Sequence, residues 1–248
     1  MSLRNYLDKV KRYFKFSKEE WIAFFLAALG LALIYSWTEW GTDTFDLNQG
    51  LKSYAISLIF ILITLFVHHA GQRLMALYIG LRAEQKLWWY GILIGLMLTI
   101  LSNGKIKFLA ATGTIAYMLP AHRIGAFRYG PGVGTLARIA LAGPVANIFF
   151  SAIIKTLEWT GIVHPYIGQK LFVLNLTFAF WNLIPIPPLD GSKLFYYSRL
   201  WYIFLFGSFA GYVFLVYAFA IYSYIFALLI GAAAWFMYLV IFERKWWS

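Results

Sequence analysis

The residues able to do chemistry cluster in three short stretches. "FVHHAGQRLMA", Phe66–Ala76, sets His68, His69, Gln72 and Arg73 at the end of a long apolar run. "LAGPVANIFF" carries Asn147 within another such run, and "AFWNLIPIPPLDGSKL" carries Asn182 and Asp190 at the end of a third. Ionisable groups within apolar spans mark functional sites by default. A histidine and a carboxylate held together would form ligand geometry, or a charge-assisted pair. Pro185, Pro187 and Pro188 lack N–H groups and clash with a preceding helical turn, so the chain unwinds before Asp190. Gly191 then permits an unusual backbone angle. An anion presented on an unwound apolar segment needs a partner to offset its desolvation.

The composition places these residues in a membrane. Of 248 residues, 62% are hydrophobic, 21% aromatic and only 12% charged, against roughly 45–50% apolar and ~25% charged in soluble domains. The basic first twenty residues lack the form of a secretory leader, so no cleavage is expected. There are no cysteines, which excludes disulfides and thiolate metal ligands. The net charge of +11 fits retention of Lys and Arg on the cytoplasmic side better than nucleic-acid binding, which is not expected.

A spanning helix needs about 20 apolar residues. The runs that qualify are 21–37, 51 to about 79, 135–154, 168–186 and the long block 200–242, which suits a tight pair. "LWWYGILIGLMLTIL", 87–101, is shorter. Read as re-entrant, it gives about six spans with both termini cytoplasmic and leaves only Lys52, Lys155 and Lys170 outside. The neighbouring "KIKFLAATGTIAYML" suits a short strand or hairpin. Non-helical backbone at that depth must be buried in protein or line a polar cavity. The expected architecture is therefore an all-α integral membrane protein with a re-entrant or short β segment between the second and third spans. Residues 1–20 form a basic cytoplasmic segment, 21–195 a membrane core and 196–248 a C-terminal helix pair.

With its motifs in order, the chain resembles the site-2 proteases, the intramembrane zinc metalloproteases. "NLIPIPPLDG" matches their Asn-x-x-Pro-x-x-x-Leu-Asp-Gly motif, and "AGPVAN" matches Ala-Gly-Pro-x-x-Asn. "FVHHAGQRLMA" aligns with the segment bearing His-Glu-x-x-His. The resemblance covers roughly residues 55–195. It implies that His68 and Asp190 stand at zinc-ligand positions, and that Asn147, Asn182, Pro185 and Gly191 serve substrate or partner binding.

The departures fall on the catalytic positions. His69 stands where the resemblance puts the glutamate base, and Gln72 stands at the second histidine. Gln is a neutral, weak ligand, and consecutive helical residues point about 100° apart, so His69 cannot simply replace the lost ligand. His122 is the spare imidazole, and nothing in its spacing places it at the site. The expectation is a catalytically inactive homologue with no catalytic residue intact, a vestigial His68–Asp190 metal site and no cofactor. Its partners would be the lipid bilayer and transmembrane helices of another protein or of complex subunits. The alternative is an active zinc metalloprotease with variant ligands, cleaving transmembrane substrates near the cytoplasmic face.

Overall fold

In a computed structural model, residues 3–41, 44–119 and 131–243 are described. They form α1 (Leu3–Tyr13), α2 (Lys18–Ser36), α3 (Leu47–Ile79), β1 (Leu81–Leu87), α4 (Trp89–Leu101) and β2 (Thr112–Met118). These are followed by α5 (Val133–Trp159), α6 (Pro165–Asn182), α7 (Asp190–Tyr197), α8 (Arg199–Phe219) and α9 (Tyr224–Tyr238). Five helical stretches are long and apolar enough to cross a membrane: Lys18–Glu39, Leu47–Ile79, Val133–Trp159, Arg199–Phe219 and Tyr224–Phe242. α6 carries Gln169, Lys170, Asn175 and Asn182 and is less apolar, yet its Phe172, Leu174, Leu176 and Phe178 are fully buried.

Each helix boundary has a local cause. Ser17 and Glu20 form a reciprocal cap at the start of α2: Ser17 Oγ accepts from the Glu20 N–H at 3.2 Å, and the Glu20 carboxylate accepts from the Ser17 N–H at 2.8 Å. Asp46 caps α3 by accepting from the Gln49 N–H at 3.0 Å. At the other end of α3, Gly80 takes a left-handed angle (φ 100°), and the chain turns straight into β1. α6 ends at Asn182, three residues before the first of the prolines, as expected of residues that cannot continue a helix.

The segment between α3 and α5 departs most from the sequence reading. β1 pairs antiparallel with β2, Leu87 opposite Thr112 and Leu81 opposite Met118. The strand in "KIKFLAATGTIAYML" is thus real, but its partner is "LRAEQKL" across an intervening helix, where Leu81, Ala83 and Leu87 alternate with Arg82, Glu84 and Lys86 and only Gln85 breaks the pattern. α4 rises from the sheet alongside α2, with Gly30 against Ile92, Gly95 against Ile34 and Gly104 against Thr38. The chain then returns to β2 as an extended run whose Phe108, Leu109, Ala110 and Ala111 are buried in the protein. That burial is what non-helical backbone requires at membrane depth.

This path corrects the charge count. Lys107 Nζ donates to Tyr35 O at 2.7 Å and Thr38 Oγ1 at 3.0 Å, at the C-terminal end of α2, where Lys170 pairs with Glu39. Lys107, with Lys105 beside it, therefore lies at the opposite end of α2 from Glu20, together with Lys170, which the sequence count had assigned to the other side. The physical reason is that α4, though short, carries the chain the remaining length of α2. Arg123 and Arg128, like His122, lie outside the described residues.

Gly91 and Gly95 face the returning strand: a Cβ at Gly91 would stand 2.1 Å from Ala110 O, and one at Gly95 would stand 2.7 Å from Phe108 O. Gly91→Ala is expected to force backbone apart and lower stability by about 1–3 kcal/mol. Thermal unfolding in detergent checks this.

Candidate functional site

Asp190 is the first residue of α7, and its carboxylate is buried. The α7 N-terminus favours a negative charge there. His68 on α3 reaches it, Nε2 to Oδ2 at 2.8 Å, and Gln72, one turn further along α3, donates its amide N–H to the same oxygen at 2.8 Å. Lys193 Nζ lies 3.5 Å from the other carboxylate oxygen. All three groups are tied to one anion.

The donor directions follow from that anion. A carboxylate accepts, so the Gln72 amide nitrogen must face Asp190 and its Oε1 must face away. Oε1 then accepts from the Thr114 hydroxyl, with which it makes a close contact, and from His69 Nδ1 at 3.1 Å. With Nδ1 protonated, a neutral His69 offers Nε2 as acceptor, and Thr112 Oγ1 lies 3.0 Å from it. His68 Nε2 and Gln72 Nε2 are 3.2 Å apart, an approach of two donors sharing one oxygen. The result is a continuous chain from Thr112 through His69 and Gln72 to Asp190, with every donor and acceptor in register.

Close packing makes this possible. Thr112 and Thr114 share one face of β2 because strand side chains alternate. Gly113 between them turns toward Pro188, where a Cβ would stand 2.9 Å from the Pro188 Cβ. A Cβ at Gly143 would stand 2.5 Å from His68 Nε2, so the glycine of "AGPVAN" lets α5 lie against the imidazole. A Cβ at Gly71 would stand 2.7 Å from Ala142 O. Gly191 has no left-handed angle; a Cβ there would stand 1.9 Å from Leu183 O. Its requirement is space beneath the end of α6, which corrects the backbone-angle reading.

The remaining sequence candidates lie beside this cluster. Asn147 donates to Asn175 Oδ1 at 3.1 Å and Thr64 O at 3.4 Å, fastening α5 to α6 and α3. Asn182 donates to Phe178 O at 2.8 Å and Leu109 O at 3.4 Å, holding the extended run to α6. Pro185 is exposed, as are Ile186 and Pro187 beside it. Among the described residues, Thr64 Oγ1, His68 Nδ1 and Asn147 Oδ1 are buried without a partner.

Four residues escape a sequence reading. Thr112 and Thr114 reach the site only through the β1–β2 pairing. Lys193 shows only as a charge three residues from Asp190. Glu20 was read as part of the N-terminal tail, but its carboxylate receives Arg73 in a buried ion pair. Arg73 also donates to Lys15 O and lies 4.1 Å over the Phe16 ring. So the arginine of "FVHHAGQRLMA" belongs to a separate structural latch.

On the chemistry of its donors, the cluster does not make a three-ligand zinc centre. His68 and Asp190 are strong zinc ligands, but the third position is an amide, and structural and catalytic sites use imidazole, thiolate or carboxylate. Where a carboxylate would be needed as base, His69 is engaged by Gln72 and Thr112.

No family model matches the chain, and no solved structure matches it. It is similar to a protein of Methanocaldococcus jannaschii named "Putative zinc metalloprotease MJ0611", 27% identical over 188 residues that cover 73% of this chain and 85% of the relative.

If the His68–Asp190 contact cross-links α3 and α7, then His68→Phe, Asp190→Leu and the double variant form a cycle with a coupling of about 1.5–3 kcal/mol. Unfolding measurements check this; additivity within about 0.5 kcal/mol would show that the contact carries no net energy.

Proposed function

We propose that the chain is a site-2-protease-like membrane protein that has exchanged catalysis for binding, holding a transmembrane segment of another protein or serving as a subunit of a membrane complex. The observation that carries this reading is the hydrogen-bonded chain Thr112–His69–Gln72–Asp190–His68. It occupies the positions where the resemblance puts all three zinc ligands and the base. Each group is spent on its neighbour, whereas catalysis needs a metal-bound water and a free carboxylate. The similarity to a protein named as a zinc metalloprotease supports descent from such a scaffold.

On this reading, six spans cross the bilayer, α6 being the sixth, with this end of the bundle and both termini toward the cytoplasm. Residues 1–20 and the α8–α9 pair flank the core as a surface segment and an appended pair. The binding face is the broken stretch between α6 and α7. Pro185, Ile186 and Pro187 are exposed there, and the unpartnered Thr64 Oγ1, His68 Nδ1 and Asn147 Oδ1 would satisfy backbone groups of a segment that unwinds. In an apolar medium such groups need partners, so a polar junction can capture a helix that has lost its own bonds.

Gentle purification from the native membrane tests this. A co-eluting membrane protein with zinc far below one per chain is the expected result. The rebuilt variant His69→Glu/Gln72→His is expected to take up about one zinc per chain, since it restores three strong ligands. Stoichiometric zinc in the wild type, with cleavage of a model transmembrane substrate abolished by His68→Ala, would establish the protease reading instead.

A further inference from the structure

A cleft of about 480 Å³ lies between the turn after α4 and the α6–α8 face, running from Lys105 and Lys107 at the far end of α2 down to Trp181, which packs near Leu189. Tyr35, Lys105, Lys107, Thr177, Trp181 and Tyr217 are among its lining. Its size falls within the roughly 300–1,000 Å³ of small-molecule sites. None of its residues takes part in the hydrogen-bonded cluster around Asp190.

The charge balance of the cleft is uneven. Glu39, the carboxylate in its wall, accepts from Lys170 Nζ at 2.7 and 2.8 Å and is thereby neutralised. Lys107 is held by two neutral acceptors, Tyr35 O and Thr38 Oγ1. Lys105 is exposed and makes no ion pair among the described residues. Two ammonium groups therefore face the cleft region without an anionic partner of their own. A second, independent observation is that Trp181, in the lining, has a buried indole N–H with no acceptor among the described residues. A buried donor without a partner costs free energy that an incoming acceptor would recover.

The surroundings specify the carrier of that anion. The walls include Val173 and Leu109, Ile106 is 44% exposed, and Tyr217 and Phe214 on α8 are each 56% exposed. The cleft thus continues onto an apolar flank of the bundle, at the ends of α2 and α3. Aromatic residues with lysines at the end of spanning helices are the composition of a membrane–water interface. We propose that this cleft binds the phosphodiester headgroup of an anionic lipid, with Lys105 and Lys107 on the phosphate, an ester carbonyl toward the deeper Trp181 N–H and the chains along α8.

The test uses the full chain, delipidated in neutral detergent, with phosphatidylglycerol, phosphatidylcholine and soluble glycerol phosphate as probes. Binding is counted by native mass spectrometry, and unfolding temperature is followed in parallel. Phosphatidylglycerol is expected to bind and raise the unfolding temperature, while the other two leave it unchanged. Lys105→Gln is expected to weaken that binding about fivefold, one lysine's share of attraction to an anionic lipid. It removes no contact of the described fold, so its lipid-free unfolding should match the wild type. Trp181→Phe should weaken binding while preserving ring packing; if it also destabilises the fold, the Lys105 variant decides. Equal stabilisation by phosphatidylcholine, an equal effect of glycerol phosphate, or unchanged affinity in Lys105→Gln would each overturn the proposal.

Discussion

A carboxylate buried at the break between α6 and α7 is the constraint around which the membrane core is arranged. An isolated ionised carboxylate in an apolar interior is costly unless paired and hydrogen-bonded. Asp190 is supplied from two sides, by His68 and Gln72 across the interface with α3 and by Lys193 one turn along its own helix. To bring those donors within 2.8 Å, α3 must lie almost against α5, and α7 must tuck under the end of α6. The positions where a side chain would prevent this, Gly71, Gly143 and Gly191, are glycines. Gln72 in turn needs acceptor-side partners, and the two-stranded sheet delivers Thr114 and, through His69, Thr112. A single buried anion thus accounts for the close approach of four elements.

The same solvent argument shapes the re-entrant region. The run returning from α4 to β2 cannot leave its peptide groups facing lipid, so it lies within protein, packed on Gly91 and Gly95 and held by Asn182. Arg73 meets the requirement differently. Its guanidinium is closed off by Glu20, Lys15 O and the Phe16 ring, fastening the entry of α2 to the end of α3. His68 and Arg73, five residues apart in sequence and on different faces of α3, thus serve different ends. The histidines and Gln72 form a junction whose partners include unpaired polar atoms, while Arg73 forms a closed latch.

This difference bears on function. A site that works on a metal-bound water leaves its ligand lone pairs turned inward and its base free. Here each donor faces an acceptor in a fixed sense from Thr112 to Asp190, and Thr64 Oγ1, His68 Nδ1 and Asn147 Oδ1 are among the buried polar atoms left without partners. On the function proposed here, those atoms would hold a polar backbone rather than split one.

Much of this could be read from the chain alone. Apolar run lengths sufficed for five spanning stretches, because lipid tolerates only long uninterrupted helices. The proline cluster located the break before Asp190, because missing N–H groups and ring clashes act within a few residues. His68, Gln72 and Asp190 could be singled out because few polar residues lie in apolar runs. Tertiary structure alone decided the rest. β1 is a short alternating run whose partner lies across a helix, so nothing local shows what it pairs with, and with that pairing go Thr112 and Thr114. The depth of Lys105 and Lys107 depends on how far α4 travels beside α2, which a count of charges does not measure. Gly191 is required by the carbonyl of Leu183 and not by its own backbone angle, and a clash with another segment exists only once the two are packed.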